Sequence, residues 1–413
     1  MQNENSSSRR KRVALFAEAV TLAHVARLLA LGRALDAEHY DVTFVTDRRY
    51  ADLLADSPWP VRWIDSIPAS RFSESLARGG PVYDERTLQR YVDDDLAVIS
   101  DVKPDLVVGD FRLSLSVSAR VARVPYAAIA NAYWSPCAVQ RYPIPDHPLV
   151  AWVGVAWAQR LFDIARPLIF AYHARPLNRV RRSRGLPSLG RDLRRTYTDA
   201  DWVFYADPPE LVPIDRLPPN HQYLGPVLWS PDVELPAWWE EVPQDKPVVY
   251  VTMGSSGSGV DLVTALESLE DIGCTAIVAT AGDSLAHVAS TPKFAAKYLP
   301  GEAAARRARL VVCNGGAPTC HQALAAGVPV LGIARNLDQH LNMQAVERAG
   351  VGMLLRSDAC SAAAIRDAVR HLLDTPSFNE RAARMSDAFR RYDAPSAFAS
   401  ATARLLAREG RGA

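Results

Sequence analysis

The residues best able to bind a charged ligand lie in one stretch, residues 311–352. Its sequence predicts a strand, a glycine turn, a helix, a second strand, a polar loop and a second helix, in that order. Gly315 and Gly316 form the turn, where a ligand can approach bare backbone. The helix after the turn offers unpaired N–H groups and the positive end of its dipole to an anion. Asp338 and Gln339 follow the next apolar run, at the edge where open α/β sheets bind ligands. The stretch therefore predicts a site for a phosphate-bearing ligand.

A second group of candidate residues, suited to acid–base chemistry, lies in the first third of the chain. His24 stands near the start of the first predicted helix, residues 21–35, and Asp110 directly follows the buried run 106–109. Because the carboxyl ends of parallel strands share one edge, we expect both side chains at that edge. A histidine with a carboxylate partner can act as a general base. The alternative interpretation of His24 is a histidine of the core or of a helix cap.

Alternating strands and helices must position both groups of candidate residues. The chain opens with a strand, helix and strand over residues 12–46, and no G-x-G-x-x-G follows the first strand. That absence counts against a dinucleotide cofactor in this half. A proline-dense segment, residues 217–247, separates this run from a second α/β run that begins at residue 248. Proline clusters of this kind mark linkers, so we expect two α/β domains.

Composition excludes several classes of protein. The 413 residues carry 47 lysines and arginines against 46 acids, a net charge of +1, so no nucleic-acid partner is expected. Five scattered cysteines indicate a reducing compartment. The longest apolar run, residues 149–158, falls short of the roughly 20 residues that span a bilayer. We expect a cytoplasmic protein that begins with a disordered tail, residues 1–12.

Two clusters admit a metal-binding interpretation. The three aspartates at 93–95 resemble the carboxylate cluster of metal-dependent sugar transferases, but on a helix they would splay apart, which favours a solvated face. Cys313, Cys320 and His321 lie close together in sequence, yet no second ligand pair accompanies them. Buried free cysteines are common, so no metal site is predicted at either place.

Residues 131–195 differ from the rest of this half. Prolines and aromatics open the segment, apolar amphipathic stretches follow, and a series of arginines closes it. One interpretation is a helical insertion whose aromatic side chains fill core space. The other is an apolar acceptor pocket with a basic rim that could touch a membrane surface. The two interpretations are compatible.

Three separated motifs agree with one family in order and spacing. Residues 315–352, GGAPTCHQALAAGVPVLGIARNLDQHLNMQAVERAGVG, follow its donor motif. Residues 223–231, YLGPVLWSP, and 248–258, VVYVTMGSSGS, match its linker and the first turn of its donor domain. On these residues the chain resembles the UDP-glycosyltransferase-like superfamily of nucleotide-sugar-dependent glycosyltransferases. The resemblance implies the α/β GT-B fold, in which two Rossmann-like domains with parallel sheets face each other across a cleft.

The resemblance also implies domain boundaries. Residues 13–216 would form the acceptor-binding domain, residues 217–247 the proline-rich linker, and residues 248–392 the nucleotide-sugar-binding domain. The last helix, residues 393–413, would pack back on the N-terminal domain.

The resemblance implies roles for individual residues. His24 matches the catalytic base that takes a proton from an acceptor hydroxyl, and Asp110 matches the acid that orients such a histidine. Further positions match residues that contact the donor. These are Gly254, Ser255, Tyr298, Asn314, Gly315, Gly316, Thr319, Gln322, Asp338 and Gln339.

Three donor positions depart from the family pattern. Asn314 stands where the family has a phosphate-contacting histidine, and it can donate a hydrogen bond but carries no charge. Gln322 stands where a ribose-binding glutamate is common, and Tyr298 where a base-stacking tryptophan is common. These departures leave the identity of the donor open.

The expected function is that of an inverting glycosyltransferase of secondary metabolism, without a metal ion or other cofactor. A nucleoside-diphosphate sugar would be its co-substrate, and a hydroxyl of a small, apolar or aromatic acceptor would receive the sugar. Two alternatives remain at this point: a nucleotide-sugar epimerase of the same fold and an inactive homologue that serves as a helper subunit. Neither the sugar, the acceptor nor the oligomeric state follows from the sequence.

Overall fold

Two parallel β-sheets, each covered by helices, divide the chain into two halves. The computed structural model describes residues 9–254, 259–270, 272–281 and 292–409. The N-terminal sheet has seven strands in the order β3-β2-β1-β4-β5-β6-β7, and the C-terminal sheet has six in the order β10-β9-β8-β11-β12-β13. Every pairing in both sheets is parallel. The predicted pair of parallel-sheet α/β domains is confirmed.

The N-terminal half consists of seven strands and six helices. The strands are β1 (Lys11–Ala17), β2 (Tyr40–Thr46), β3 (Val61–Trp63), β4 (Leu106–Asp110), β5 (Tyr126–Ala130), β6 (Trp202–Tyr205) and β7 (His221–Tyr223). The helices are α1 (Leu22–Gly32), α2 (Ala69–Ala77), α3 (Glu85–Val102), α4 (Leu115–Ala122), α5 (Pro148–Ser183) and α6 (Arg194–Tyr197). Short 3₁₀ turns lie at Arg48–Leu54 and Ala132–Trp134.

The C-terminal half follows a 3₁₀ turn at Ala237–Glu241. Its strands are β8 (Val248–Thr252), β9 (Thr275–Ala279), β10 (Ala295–Ala296), β11 (Leu310–Cys313), β12 (Val330–Ala334) and β13 (Gly352–Arg356). Its helices are α7 (Gly259–Glu270), α8 (Gly301–Arg307), α9 (Ala317–Ala325), α10 (Leu337–Arg348), α11 (Ala362–Asp374) and α12 (Pro376–Phe389), with a 3₁₀ turn at Ser357–Ala359. The last helix is α13 (Ala394–Glu409).

The central strands are buried on both faces. Every residue of β4, β5, β8 and β12 is buried. Because both faces of these strands are covered, their sequences are rich in Val, Ala, Ile and Leu and do not alternate with polar residues. Helix α13 leaves the C-terminal half and packs against α1, and the ring of its Phe398 meets that of Phe204 in β6 edge-on at 6.0 Å. Its Arg404 donates to Gln222 of β7 at 2.8 Å. The last helix therefore ties the end of the chain to the N-terminal half.

Two expectations from the sequence need correction in detail. The predicted linker, residues 217–247, contains a strand, because β7 lies inside it and pairs with β6. Three residues between prolines are too few to show a strand period. The aspartates at 93–95 do not form a solvated face, because Asp95 is fully buried. The expected helical insertion in residues 131–195 is mainly the 36-residue helix α5, which passes through Pro167 and Pro176 and bends at Gly154.

Within the described residues, no helix is both long enough and apolar enough to cross a membrane.

Candidate functional site

A cavity of about 350 Å³ lies between the carboxyl edges of the two sheets, and both halves line it. Nearly all the predicted site residues contribute to its walls. Gly315 is not in the lining, and Ser255 lies outside the described residues. The predicted residues in the lining are His24, Asp110, Gly254, Tyr298, Asn314, Gly316, Thr319, Gln322, Asp338 and Gln339.

His24 and Asp110 form a hydrogen-bonded pair. Strands β1 and β4 are neighbours whose ends meet at Ala17 and Asp110, and α1 begins five residues after β1. The Nδ1 atom of His24 lies 2.8 Å from Oδ1 of Asp110. Because an ionised carboxylate only accepts, Nδ1 carries the proton, and Nε2 is left as the basic nitrogen. This is the arrangement that a general base requires.

Arg27 is a third member of this group that sequence reasoning missed. Its guanidinium donates to both oxygens of Asp110, from Nε at 2.5 Å and from Nη2 at 2.6 Å. Burial alone would raise the pKa of Asp110, but the charge of Arg27 and the hydrogen bonds from Arg27 and His24 hold this pKa below its ordinary value. The spacing could have revealed Arg27, because it lies three residues after His24 on the same helix face.

An aromatic row runs from His24 towards the C-terminal half. Phe111 stacks on the His24 ring at 4.8 Å with an interplanar angle of 4°. Tyr197 lies 5.7 Å beyond Phe111, and Trp134 lies 4.6 Å beyond Tyr197. We call Phe111, Tyr197 and Trp134 the aromatic row; all three line the cavity. Phe111 holds its place with a φ of +58°, a strained conformation for a bulky side chain and one that concentrates at functional sites.

A buried ion cluster lies at the same edge of the N-terminal sheet. Arg112 is fully buried and contacts Glu18 and Asp95, each at 3.0 Å, while its guanidinium lies 3.7 Å from the centre of the Tyr91 ring. Burial raises the pKa of both carboxyls, although Arg112 opposes the rise. Glu18 directly follows β1, so the cluster fixes the segment that leads to His24.

The side of the cavity that we predict to bind the donor is built on the turn between β11 and α9. Gly315 has a φ of +77°, and a Cβ there would lie 2.6 Å from Cγ of Met343, so no other residue fits. The N–H of Gly316 donates to Oδ1 of Asn314 at 3.1 Å, and Gly316 is the N-cap residue of α9. Gly254 also has a positive φ, +61°, and a Cβ there would meet the Asn314 amide nitrogen. Backbone and amide groups therefore face the place where we predict a phosphate.

Asp338 and Gln339 occupy the first turn of α10. The Oε1 atom of Gln339 accepts from the backbone N–H of Arg335 at 2.9 Å in a capping box with Asn336, so the helix N-terminus uses part of this side chain. The Nε1 atom of Trp134 donates to Oδ1 of Asp338 at 2.7 Å. Burial raises the pKa of Asp338, which hydrogen bonding to Trp134 opposes. The N-terminal half thus orients a carboxylate of the C-terminal half.

Gln322 and Tyr298 differ in their surroundings. The amide nitrogen of Gln322 donates to the backbone oxygen of Trp229, which joins α9 to the linker. Tyr298 is partly exposed, and the ammonium of Lys297 lies 5.4 Å from its ring centre. Thr319 lines the cavity in the first turn of α9.

A polar chain connects Arg27, beside the His24–Asp110 pair, to helix α9, and sequence reasoning did not predict it. Arg27 donates to Oδ1 of Asn131 at 3.0 Å, and the Asn131 amide donates to Asp207 at 3.2 Å. Across the cleft, Nε2 of His321 on α9 lies 3.4 Å from Oδ1 of Asp207. Asp207 and His321 are both buried. Asn131 and Asp207 follow the carboxyl ends of β5 and β6, and that placement was the available signal.

The cysteine pair near the donor turn is buried and free. The sulfurs of Cys313 and Cys320 lie 3.9 Å apart. Over the described residues, no group of three or more His, Cys, Asp or Glu side chains is placed to hold a metal ion.

The chain matches known proteins along its length. Residues 263–404 match the model of the family "Erythromycin biosynthesis protein CIII-like, C-terminal domain". The "PGL/p-HBAD biosynthesis glycosyltransferase" of Mycobacterium tuberculosis is 50% identical over 92% of this chain and 89% of its own length. The "PGL/p-HBAD biosynthesis rhamnosyltransferase" of Mycobacterium bovis is 51% identical over 93% and 86%. The structure of glycosyltransferase VinC in complex with dTDP superimposes with a TM-score of 0.68 at 17% identity, over 96% of this chain and 100% of that one.

Proposed function

The chain belongs to the UDP-glycosyltransferase-like superfamily of GT-B glycosyltransferases, and we propose that it transfers a sugar with inversion to a hydroxyl of a lipophilic acceptor. The donor would be a nucleoside-diphosphate sugar, and no metal ion or other cofactor would take part. One observation carries the proposal: the His24–Asp110 pair and the Asp338 carboxylate line one cavity from opposite halves. A base and a sugar-binding carboxylate are the groups that such a transfer needs.

In this mechanism the neutral His24 ring accepts the proton of the acceptor hydroxyl at Nε2. Asp110 keeps the other nitrogen protonated and stabilises the imidazolium that forms. The acceptor oxygen attacks the anomeric carbon from the face opposite the diphosphate, and the C–O bond to the diphosphate breaks with its electron pair. A direct displacement of this kind inverts the anomeric configuration. Asp338 would hold sugar hydroxyls in the position for attack.

The diphosphate would be held by neutral groups. The turn of Gly315 and Gly316 places backbone N–H groups and the positive end of α9 at this point. Asn314 adds an amide beside Gly254. Such preorganised dipoles stabilise the charge that develops on a leaving group. The dTDP bound to VinC supports testing thymidine as well as uridine donors.

The acceptor would lie against the aromatic row. Phe111, Tyr197 and Trp134 form an apolar wall between His24 and Asp338. A flat aromatic or aliphatic acceptor buries its surface on such a wall while its hydroxyl meets the base. The names of the two mycobacterial relatives support an acceptor of the PGL or p-HBAD type, and the second supports rhamnose as the first sugar to test.

The test is transfer by the purified protein in the presence of EDTA. The protein is incubated with a panel of thymidine and uridine diphosphate sugars and a mycobacterial lipid extract, and products are read by mass spectrometry. We expect a mass gain of one sugar, and a loss of about 10²- to 10⁴-fold in rate for His24→Ala. His39→Ala is the matched control, because its exposed side chain also pairs with an aspartate, Asp36, outside the site.

Three outcomes would contradict parts of the proposal. Activity that EDTA abolishes and a divalent ion restores would exclude metal independence. A product with the anomeric configuration of the donor, read from proton coupling constants, would exclude inversion. Equal rates for His24→Ala and wild type would exclude His24 as the base.

A further inference from the structure

An apolar stripe lies on the solvent side of α5. Trp157, Leu161, Ile164, Leu168 and Tyr172 recur at spacings of three and four residues, which places them on one helix face. All five are exposed, Ile164 at 79% and Leu168 at 71%. We call these five residues the α5 stripe. By the rise of a helix the stripe is roughly 23 Å long. Exposed apolar patches of this size mark interaction sites.

The opposite face of α5 explains why the stripe is not part of the core. Phe162, Phe170, Ala174 and Leu177 are buried there, in contact with the rest of the N-terminal half. The helix therefore satisfies its packing without the stripe. A surface helix ordinarily presents polar residues to water on its outer side, and α5 presents tryptophan, leucine and isoleucine.

Arginines surround the α5 stripe. Residues 160–195 contain ten arginines and two aspartates. Arg175 and Arg182 continue the stripe along the same helix face, and both are exposed. At the other end, the Arg160 guanidinium lies 4.8 Å from the Trp157 ring centre. The pattern is apolar and aromatic in the middle and positively charged at the margins.

The α5 stripe leads to the cavity of the proposed active site. His173 follows the last residue of the stripe and lines the cavity together with Phe72 and Leu76 of α2. The His173 ring lies 3.2 Å from the backbone oxygen of Gly79, so α5 and the end of α2 meet at this rim. The Tyr172 end of the stripe is therefore adjacent along α5 to a residue of the cavity wall.

We propose that the α5 stripe docks on an anionic lipid bilayer and that the acceptor enters the cavity from this membrane surface. Helices that lie in the bilayer interface combine an apolar face, tryptophan and flanking arginines, as α5 does. Positive charge at the margins complements anionic headgroups. A second copy of the chain offers less, because the arginine-rich margins of two such stripes would repel each other. Entry of the acceptor rests on the proposed function, whereas docking does not.

The test measures vesicle binding before any activity. The full-length protein is sedimented with vesicles of phosphatidylcholine mixed with phosphatidylglycerol, and with vesicles of phosphatidylcholine alone. We expect binding to the anionic vesicles that weakens as salt is added. The double variant Ile164→Glu/Leu168→Glu should bind at least about tenfold more weakly, because it places two charges where the stripe would enter the apolar part of the bilayer. Val139→Glu is the control, since Val139 is exposed but outside the stripe.

A charge variant separates the two contributions. Arg175→Gln/Arg182→Gln should weaken binding to anionic vesicles by about tenfold and leave binding to neutral ones unchanged. Equal vesicle binding by the wild type and the Ile164→Glu/Leu168→Glu variant would overturn the proposal. So would a wild-type dimer, measured by light scattering, that this variant converts to a monomer, because the stripe would then be a contact between copies.

Activity gives the second readout. With acceptor embedded in anionic vesicles, Ile164→Glu/Leu168→Glu should slow transfer by about tenfold, in line with its binding. With acceptor dispersed in detergent, it should match the wild type. Loss of transfer in both formats would contradict entry from the membrane, and no transfer by the wild type with intact vesicle binding would contradict the proposed function alone.

Discussion

The carboxyl edges of the two sheets face one cavity, yet they are built from different chemistry. At the N-terminal edge, ionisable side chains are buried and paired: Glu18 with Arg112, and Asp110 with both His24 and Arg27. At the C-terminal edge, the turn before α9 presents the backbone of Gly316 and the neutral amide of Asn314 to the cavity. Both sheets are parallel and wound in the same way, so topology does not explain the difference. It is consistent with the different roles that we propose for the two edges.

An edge that moves a proton needs groups whose charge can change, and it must hold them in fixed geometry. Pairing inside the protein keeps such groups ionised where burial alone would neutralise them. An edge that binds a diphosphate meets charge brought by the ligand. Fixed dipoles suit that ligand, because they cost no buried charge when the site is empty. Four variants test this contrast, from the largest expected effect to the smallest.

Removal of Arg112 should have the largest effect. Arg112→Met leaves Glu18 and Asp95 buried without their cation, and we expect a loss of about 3–5 kcal/mol in the free energy of unfolding. The loss should shrink as the pH falls. A buried carboxyl whose pKa is raised in the folded state binds its proton more tightly there than in the unfolded state. The destabilisation that it causes therefore appears as the pH rises through and above the ordinary carboxyl range. Urea unfolding at several pH values measures both effects.

Arg78→Met is the control for Arg112. Arg78 pairs with Glu74 on the surface of α2, and exposed pairs contribute about 0–1 kcal/mol. Equal losses for the two variants would show that the N-terminal edge does not depend on buried pairing, and the contrast between the edges would fail.

The donor edge should respond to a change of backbone rather than of charge. In Gly315→Ala the alanine must hold a φ of +77°, and its Cβ would lie 2.6 Å from Cγ of Met343. The turn must therefore move. We expect binding of dTDP or UDP to weaken by about tenfold to a hundredfold, measured by titration calorimetry. Gly185→Ala is matched in φ, at +75°, but a Cβ there has open space around it. If Gly185→Ala weakens nucleotide binding as much, the effect is one of general stability.

Sequence patterns predicted the donor edge better than the acceptor edge. Gly315, Gly316, Asp338 and Gln339 belong to one local stretch, so their spacing alone indicates a site. His24 and Asp110 were found because each follows a strand. Side chains brought together from distant parts of the chain left no periodic signal.

The row of Phe111, Tyr197 and Trp134 shows the limit of such reasoning. Phe111 follows β4, whereas Trp134 and Tyr197 lie at opposite ends of the long connection between β5 and β6, and only the fold stacks them. The last strand, β7, was missed because three residues show no period. The sequence indicated apolar amphipathic stretches in α5 but not which of their apolar residues face the solvent. Apolar spacing on a helix does not by itself tell which apolar face meets the core.

Arg27 should control the pH dependence of the reaction. In Arg27→Met, Asp110 no longer shares its charge with a guanidinium, so it favours protonation of His24 more strongly. We expect the acid limb of the kcat/KM profile to move to higher pH by about one unit, with a loss that reaches about tenfold at acid pH, is about threefold at neutral pH and is recovered in alkali. Arg27→Lys keeps the charge and should restore most of the wild-type profile. An equal loss at every pH would mean that Arg27 is needed only for structure.

Asn314→His should have the smallest effect and tests the donor edge most directly. It restores the residue that the family has at this position and brings a positive charge to an edge built from dipoles. The positive end of α9 opposes that charge, so we expect dTDP to bind only about threefold more tightly, and mainly below a pH of about 6.5 where a histidine is protonated. Asn314→Ala removes the acceptor of the Gly316 N–H and should weaken binding by a similar factor. Weaker binding by the histidine variant at all pH values would mean that Asn314 serves to hold the turn, and that the neutrality of this edge follows from its geometry.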